Sequence, residues 1–208
     1  MENVPNMLMM HGGHFRDRAL DAFSEAGYHN SAVRVLHASD FGVPQLRKRA
    51  IFMGIRDDLD LCSDAGAWMD AVAIAERREE RTVWEAICDL PKDVAVDNAP
   101  LPYPRSATRN PILDELRLDR DGLFYSADEK RARLAGPELH NHHTKEIQER
   151  RRHLISYLKQ GMKADSLPKE LWNGARPEKW RRLDPDAPAY TILAQMHRDL
   201  SEWVHPRY

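Results

Sequence analysis

Residues 40–55 read DFGVPQLRKRAIFMGI, and this stretch decides the fold expected for the chain. Its opening, with Gly42 and Pro44 two residues apart, is typical of a turn. Residues 50–55 are apolar and rich in β-forming side chains, which predicts a strand. A second run of that kind, AVRVL, occupies residues 32–36. Because about a dozen residues without a helical pattern join the two runs, we expect an antiparallel pair at a sheet edge.

Helical patterns lie on both sides of these strands. Residues 14–26 carry apolar side chains at helical spacing, which predicts a helix. Two more helices are predicted at 68–80 and 82–90. The second has Thr82 as its N-cap and Glu85 three residues later as the capping-box partner. The chain therefore alternates α and β elements in its first part and becomes mainly helical afterwards.

The second half of the chain has one strong helical pattern, at 147–159. Its apolar side is formed by Ile147, Leu154, Ile155 and Leu158. Four prolines within residues 99–111 predict an irregular, surface-running connection. Residues 190–193 are short and β-rich, which predicts a final strand.

Composition is that of a soluble globular protein with a heavily charged surface. The chain has 208 residues, of which 42% are hydrophobic and 31% charged. No apolar run approaches the roughly 20 residues needed to span a bilayer, and no signal peptide is evident, so a cytoplasmic protein is expected. Cys62 and Cys88 are too few for a disulfide framework and are interpreted as reduced thiols.

Charge is unevenly distributed although the net charge is only −2. Residues 57–97 hold twelve acids against four bases, whereas residues 145–182 hold eleven bases against five acids. This asymmetry indicates one face suited to an anion, and a solvated helix with an unbalanced face is the alternative. The same two interpretations apply to the arginine run 150–152: contact with DNA phosphate, or an ordinary charged surface.

The histidines at 140, 142 and 143 raise the question of a metal site. No cysteine or paired carboxylate lies nearby, and such a histidine cluster is more often a polar surface segment. No metal site is therefore expected.

The arginine-containing stretch resembles the Gln-x-Arg-x-Arg motif of the bacterial DNA cytosine-5 methyltransferases. In this sequence the motif residues are Gln45, Arg47 and Arg49, preceded by a Gly-Val-Pro turn and followed by the predicted strand. Upstream, residues 2–4 (Glu-Asn-Val) resemble a second motif of the same family. The match is long and ordered, which a lone Arg-x-Arg would not be.

Three further segments are similar to the same family and follow in the expected order. Residues 84–91 resemble a helix that follows the arginine motif in bacterial members. Residues 182–185, residues 189–192 and the pair His205-Pro206 together resemble the segment that re-enters the catalytic domain after target recognition. The resemblance thus covers nearly the whole chain.

The resemblance implies an α/β fold. We expect the C-terminal strands and helices of a Rossmann-like methyltransferase sheet, with an appended irregular α+β target-recognition region. In this interpretation residues 1–57 belong to the catalytic domain, residues 58–180 to target recognition with a helical insert, and residues 181–208 to the return segment.

The resemblance also implies residue roles. In this family a cysteine thiolate attacks C6 of cytosine, and C5 then takes a methyl group from S-adenosylmethionine. Glu2 matches the carboxyl group that hydrogen-bonds ring N3 and the exocyclic amine. Arg49 matches the arginine at the base's O2, where a guanidinium stabilises the adduct. Arg47 is expected beside it, ordering the site.

A further set of residues is expected to bind DNA. The target cytosine must rotate out of the duplex, and contacts with backbone phosphates help to repay that energy. The residues assigned to DNA binding are Gln45, Lys48, Arg181, Arg182 and Thr191.

Three parts of the family's machinery have no match in these residues, and one of them is the last motif, which closes the donor pocket after the His-Pro segment. The Pro-Cys pair with the nucleophile and the glycine-rich donor loop belong upstream of Glu2, and Gly12-Gly13 is interpreted as a flexible turn only. We therefore expect no methylation by this chain alone and no bound S-adenosylmethionine. Its expected partners are double-stranded DNA and a companion chain carrying the upstream half.

Several explanations of such a fragment stay open: a split enzyme, an alternative start within a longer reading frame, or a decayed remnant. A split enzyme predicts a sticky apolar edge around Met7–Met10. The competing functional class is a non-catalytic DNA-binding or partner-binding module derived from such an enzyme. An unrelated globular protein with accidental motifs predicts no α/β arrangement around Arg47 and Arg49.

Overall fold

The computed structural model describes residues 1–59, 61, 64–92, 101–102, 112–113, 138–139, 142, 148–172, 174, 180–192 and 203–207. The chain divides into two compact units, Met1–Arg81 and Thr82–Tyr208. Within the described residues, no helix is long and apolar enough to cross a membrane.

The first unit is a small antiparallel sheet with two α-helices. Its elements are β1 (Glu2–Asn3), two 3-10 turns (Pro5–Leu8 and Met10–Gly13), α1 (His14–Glu25), β2 (Asn30–His37), a 3-10 turn (Ala38–Phe41), β3 (Gln45–Leu46), β4 (Lys48–Ile55) and α2 (Ala65–Ala75). Strands β1, β4 and β2 pair in that order, both pairs antiparallel. The expected antiparallel pair is confirmed.

The two α-helices of this unit contact opposite faces of the sheet. On one face β4 carries Gly54, where an added Cβ would lie 2.8 Å from the Phe23 ring of α1 and 2.9 Å from Tyr28 Cβ. On the other face Arg34 of β2 stands opposite Ile51 and binds Asp70 of α2. Side chains alternate along a strand, so positions 51 and 54 point to opposite faces.

Helix α2 is attached to β2 by a two-point ion pair. The Arg34 guanidinium donates from Nε to Asp70 Oδ1 at 2.8 Å and from Nη2 to Asp70 Oδ2 at 3.0 Å. The helix begins at Ala65 because the Asp64 side chain accepts from the backbone N–H of Ala67.

The predicted span 68–80 for this helix is wrong at both ends. The N-cap starts the helix three residues earlier, and the helix ends at Ala75. Beyond that point the backbone N–H of Arg78 bonds the carbonyl of Asp40, so it leaves the helical pattern.

The second unit contains shorter elements. These are α3 (Val83–Ile87), β5 (Leu101–Pro102), β6 (Glu138–Leu139), α4 (Glu149–Tyr157), a 3-10 turn (Ala164–Ser166), β7 (Arg181–Arg182), β8 (Ala189–Tyr190) and β9 (Trp203–Val204). Strands β5 and β6 pair antiparallel, and β7 and β9 pair parallel.

The capping box of α3 is confirmed. Glu85 N–H donates to Thr82 Oγ1 at 3.2 Å, and Thr82 N–H donates to Glu85 Oε2 at 2.8 Å. The predicted C-terminus at Leu90 is wrong, because α3 ends at Ile87 and the chain turns there. In the same way α4 is shorter than predicted, since Leu158 has an extended backbone.

Other predicted elements are only partly described. The strand expected at 190–193 is found at Ala189–Tyr190, and Leu193 lies outside the described residues. In the proline-rich stretch 99–111, Leu101–Pro102 forms a strand and the rest lies outside them. Ile147 and Cys62 also lie outside the described part of the chain.

A small apolar core holds α4 in the second unit. Its buried members are Leu158, Ala164, Leu167 and Val204, with Leu154, Ile155, Leu171, Trp172 and Trp180 packed against them. The rings of Trp172 and Trp180 lie 5.4 Å apart. The apolar side expected for the helix is therefore the side that is buried.

We expect Gly54→Ala to destabilise the chain more than Gly66→Ala. A methyl group at Gly54 meets the Phe23 ring and the Cβ of Tyr28, which cannot move without the backbone. Overpacking of this kind costs about 1–3 kcal/mol. At Gly66 the nearest atoms are the ends of Arg34 and Asp64, which can shift. Urea unfolding followed by circular dichroism measures both, and equal losses would contradict this packing.

The Arg34–Asp70 pair predicts a pH-dependent contribution to stability. The hydrogen bonds from Arg34 hold the pKa of Asp70 below its usual value. A carboxyl group with a lowered folded-state pKa stabilises the fold above its unfolded pKa of about 3.9, and the contribution is lost as pH falls through the folded pKa.

Asp70→Asn should therefore lower the urea midpoint at neutral pH, and the difference from the unsubstituted chain should shrink as pH falls below the unfolded pKa and through the lowered folded-state pKa. Asp21→Asn, on the exposed side of α1, is the control. A difference for Asp70→Asn that persists unchanged at low pH would argue against a role for its charge.

Candidate functional site

The side chains of Glu2 and Arg49 form an ion pair. Glu2 Oε1 lies 2.5 Å from Arg49 Nε. Arg49 Nη1 also donates to the carbonyl of Lys48 at 2.7 Å. The ion pair therefore uses one carboxylate oxygen of Glu2 and the Nε of Arg49, while Nη1 binds the backbone.

Strand register explains why two residues 47 positions apart meet. Glu2 of β1 pairs with Ile51 of β4, and Arg49 is two residues before Ile51 on the same strand. Residues opposite each other, and residues two apart on one strand, share a face, so Glu2 and Arg49 are diagonal neighbours. The backbone of Met1 extends the pairing, with its amino group donating to the Phe52 carbonyl at 2.9 Å.

Glu2 and Arg49 differ in exposure. The Arg49 side chain is 20% exposed and the Glu2 side chain is 54% exposed. The carboxylate thus faces outward from a guanidinium that the sheet partly encloses.

Gln45 and Arg47 share the half-buried side of this segment with Arg49. Positions 45, 47 and 49 are half-buried, and Leu46 and Lys48 between them are exposed. This alternation is the pattern of an extended backbone. Lys48 is therefore turned away from the Glu2–Arg49 pair and toward solvent.

The turn that precedes the motif is tied to the rest of its unit. Ala38 N–H donates to the Arg47 carbonyl at 2.8 Å, and Arg78 N–H donates to the Asp40 carbonyl at 2.8 Å. Gly42 has φ +78°, and an added Cβ would lie 3.3 Å from the Arg78 side chain. This turn needs glycine, and it holds the start of the arginine motif in place.

Arg182 of β7 lies inside its unit. Its guanidinium donates to three backbone carbonyls: Leu158 at 2.6 Å, His205 at 2.8 Å and Ile155 at 3.0 Å. Two of these belong to the C-terminal end of α4, where helix carbonyls need partners. Burial lowers the pKa of Arg182. Arg182 therefore joins α4 to the residues after β9.

Arg181 and Thr191, two other residues assigned to DNA binding, differ in their exposure to solvent. Arg181 is 8% exposed, and its guanidinium lies 4.0 Å from the ring centre of Tyr190. Thr191 is half-buried just after β8. Burial of Arg181 and the carbonyl contacts of Arg182 favour positioning roles for both arginines, whereas an exposed lysine such as Lys48 is open to a phosphate.

An aromatic stack near the chain's end was not anticipated from the sequence. Arg207 lies 3.7 Å from the ring centre of Trp84, and the rings of Trp84 and His205 meet edge to face at 6.4 Å. Burial lowers the pKa of His205, which also accepts from the Arg207 backbone N–H. Trp84 and His205 were noted only as parts of longer motifs, and nothing in their spacing of 121 residues predicts the contact.

The glycine pair at 12–13 forms a turn that leads into α1, and both glycines have positive φ. An added Cβ at Gly13 would lie 2.9 Å from the Arg16 guanidinium, and one at Gly12 would have no atom within 4 Å. Gly13 caps α1 without any side-chain hydrogen bond.

The remaining candidates have ordinary surroundings where they are described. The structure's described part contains no cluster of three metal-ligating side chains. The ring of His142 lies 3.0 Å from the Pro91 carbonyl, and His140 and His143 lie outside the described part. Cys88 is a half-buried free thiol.

Comparison of the sequence with known families identifies the class of protein. The sequence profile of the C-5 cytosine-specific DNA methylases matches residues 1–162. This is well over half of the chain, and the chain belongs to that family.

Individual relatives agree with the family. The type II methyltransferase M.BspRI of Lysinibacillus sphaericus is 44% identical over 59 residues, which are 28% of this chain and 14% of that protein. M.AgeI of Thalassovita gelatinovora is 26% identical over 265 aligned positions, covering 99% of this chain and 60% of that protein. The chain thus spans less than two thirds of the length of these curated relatives.

A solved structure has a similar fold. A protein described as a prophage-encoded DNA modification methyltransferase (E. coli) superposes with a TM-score of 0.70 and 19% identity, covering 99% of this chain and 53% of that one. At this identity the likeness establishes a shared α/β fold.

We expect Arg182→Ala to destabilise the chain by about 3 kcal/mol, because it leaves three carbonyls of the second unit without their charged donor. Arg182→Lys should recover part of this loss, since an ammonium group cannot reach all three. Urea unfolding measures both. Unchanged stability combined with weaker DNA binding would instead favour a phosphate contact for Arg182.

Proposed function

We propose that this chain supplies the cytosine-binding side of an S-adenosylmethionine-dependent DNA cytosine-5 methyltransferase, together with much of its DNA-recognition surface. The ion pair of Glu2 and Arg49 carries the proposal. It brings together the two side chains that match the family's pocket motifs, although they are distant in sequence.

The geometry of the pair fits one edge of cytosine. In the base, O2 and N3 are separated by a single carbon atom, and the exocyclic amine lies beyond N3. A guanidinium beside a carboxyl group offers a donor for O2 next to a group for N3 and the amine. We assign O2 to Arg49, and N3 with the amine to Glu2. A rotated base that enters here replaces the contact between the two side chains.

These two residues would then stabilise the charge that develops in the cytosine ring during the reaction. When a thiolate adds to C6, electron density moves toward O2 and N3. Arg49 stabilises density at O2, and Glu2 holds a proton at N3. Arg47 and Gln45, on the same side of the segment, position Arg49 and its neighbours. S-adenosylmethionine supplies the methyl group in the complete enzyme.

The three-stranded sheet of the first unit is proposed to be part of a larger sheet. Its helices contact opposite faces of the sheet, as in Rossmann-like α/β proteins. We propose that residues 1–57 form the last strands of the catalytic sheet, residues 58–180 the target-recognition region and residues 181–208 the return segment.

The nucleophile and the donor site are proposed to come from residues outside these 208, in a longer polypeptide or in a companion chain. Apolar side chains near β1 support this idea. Met9 is 75% exposed, and Met10 and Phe15 are about 40% exposed. A cluster of this kind commonly marks a surface that another segment covers.

Methyl transfer by a two-chain complex tests the proposal. The 208-residue chain is co-expressed with a polypeptide that carries the family's Pro-Cys and donor-binding motifs, and labelled methyl transfer into a random-sequence duplex pool is measured. Activity should require both chains. Arg49→Ala and Glu2→Gln should each lower the rate by about 10²–10³-fold, the range for loss of one charge-stabilising group.

Arg18→Ala is the matched control, because it removes one positive charge from the exposed side of α1. It should leave the rate unchanged. If the two chains co-purify and bind DNA but transfer no methyl group, the chain is a non-catalytic DNA-binding module and the proposal fails.

A further inference from the structure

Helix α4 presents a basic, exposed side next to a concavity. The concavity has a volume of about 630 Å³, and the described residues that line it are Glu149, Arg150, Arg152, His153 and Ser156. All five are exposed. Arg150, Arg152 and His153 carry N–H groups, whereas the Ser156 hydroxyl donates to the backbone carbonyl of His153 at 2.6 Å.

The apolar side of α4, opposite the exposed side, fixes the orientation of the helix. At about 100° per residue, Leu154, Ile155 and Leu158 lie opposite Glu149, His153 and Ser156. Arg150 and Arg152 lie at the two edges of this exposed side, and both side chains line the concavity. The three apolar side chains pack in the core of the second unit. Arg182 binds the carbonyls of Ile155 and Leu158 at the helix C-terminus. A basic side held in this way is preorganised for a ligand.

The dimensions and charge favour a polyanion over a small ligand. Residues 150–156 extend about 9 Å along the helix axis, more than one phosphate group occupies. Guanidinium groups match phosphate oxygens through paired donors. The sequence around α4 is also strongly basic, with eleven bases against five acids in residues 145–182. The Glu149 carboxylate repels an anion. Its place in the first turn of α4 has a structural reason, because a negative charge there interacts favourably with the helix dipole.

We propose that this groove binds the phosphate backbone of duplex DNA, with Arg150 and Arg152 as the main contacts and with His153 and Ser156 beside them. This inference rests on the proposed function, because that function makes duplex DNA the polyanion in question. It assigns a backbone contact to the exposed side of α4, a surface outside the cytosine pocket.

Salt-dependent DNA binding tests the groove without any need for catalysis. Fluorescence anisotropy with a random-sequence duplex measures the affinity of the full chain at several salt concentrations. Each phosphate contact contributes about 0.9 to the slope of log affinity against log salt. The double variant Arg150→Ala, Arg152→Ala should weaken binding about tenfold or more and lower the magnitude of the slope by nearly two.

Glu149→Gln should change the DNA affinity in the opposite direction. Removing the one carboxylate among the described lining residues should tighten binding, by about twofold or more at low salt. Destabilisation of the helix cannot mimic this result. Thermal unfolding by circular dichroism checks that the double variant remains folded.

Three results would overturn the proposal that this groove binds DNA. The first is a double variant that is folded and binds with unchanged affinity and slope. The second is an equal loss from Arg18→Ala, which removes one charge from α1 of the other unit. The third is stronger, α4-dependent binding of duplex RNA than of DNA.

The outcomes also separate this inference from the proposed function. If the double variant binds normally while Arg49→Ala abolishes methyl transfer in the two-chain complex, only the groove is wrong. If the unsubstituted chain shows no salt-dependent DNA binding, the DNA-recognition part of the proposed function fails and the groove fails with it.

Discussion

The first unit depends on the register of its central strand. Strand β4 pairs with β1 on one side and with β2 on the other, and this register determines which side chains share a face of the sheet. It sets Glu2 diagonal to Arg49, and it sets Arg34 on the face where Asp70 of α2 can bind it. A slip of one residue between β1 and β4 would turn Glu2 to the opposite face. Packing at Gly54 works against such a change, because that face of the sheet already meets Phe23 and Tyr28. The site therefore inherits its geometry from backbone hydrogen bonds.

In the second unit the corresponding constraint is one side chain. Strands β7 and β9 are two residues long, so their ladder is short, although the backbone around β7 also pairs antiparallel with Lys163. Arg182 compensates by bonding carbonyls from α4 and from the residue after β9. A charged hydrogen bond to a backbone carbonyl is stronger than a neutral one and costs more to lose when buried. The same residue therefore fixes the C-terminal end of α4 and the backbone after β9.

Local patterns predicted local structure well in this chain. The first helix, the antiparallel strand pair and the Thr82–Glu85 capping box could be predicted because neighbouring residues determine them. The family resemblance brought Glu2 and Arg49 into one expected site. Helix ends were predicted less well. The backbone N–H of Arg78, which lies in the predicted span of α2, bonds the carbonyl of Asp40, and no local sequence pattern encodes that contact. The burial of Arg181 and the stacking of Arg207 on Trp84 depend on tertiary packing in the same way.

The exposure of the Glu2–Arg49 pair bears on what the pair is for. Exposed ion pairs stabilise a fold by about 0–1 kcal/mol, so stability alone gives little reason to hold these two side chains together. The same charges act much more strongly on a ligand when water is excluded, because the effective dielectric constant falls. Glu2 is more than half exposed in this chain. In the proposed function, exclusion of water must accompany binding, because the rotated base would have to cover the carboxylate. On this proposal the ion pair sets the positions of the two groups before the base arrives, and the base completes their electrostatic environment.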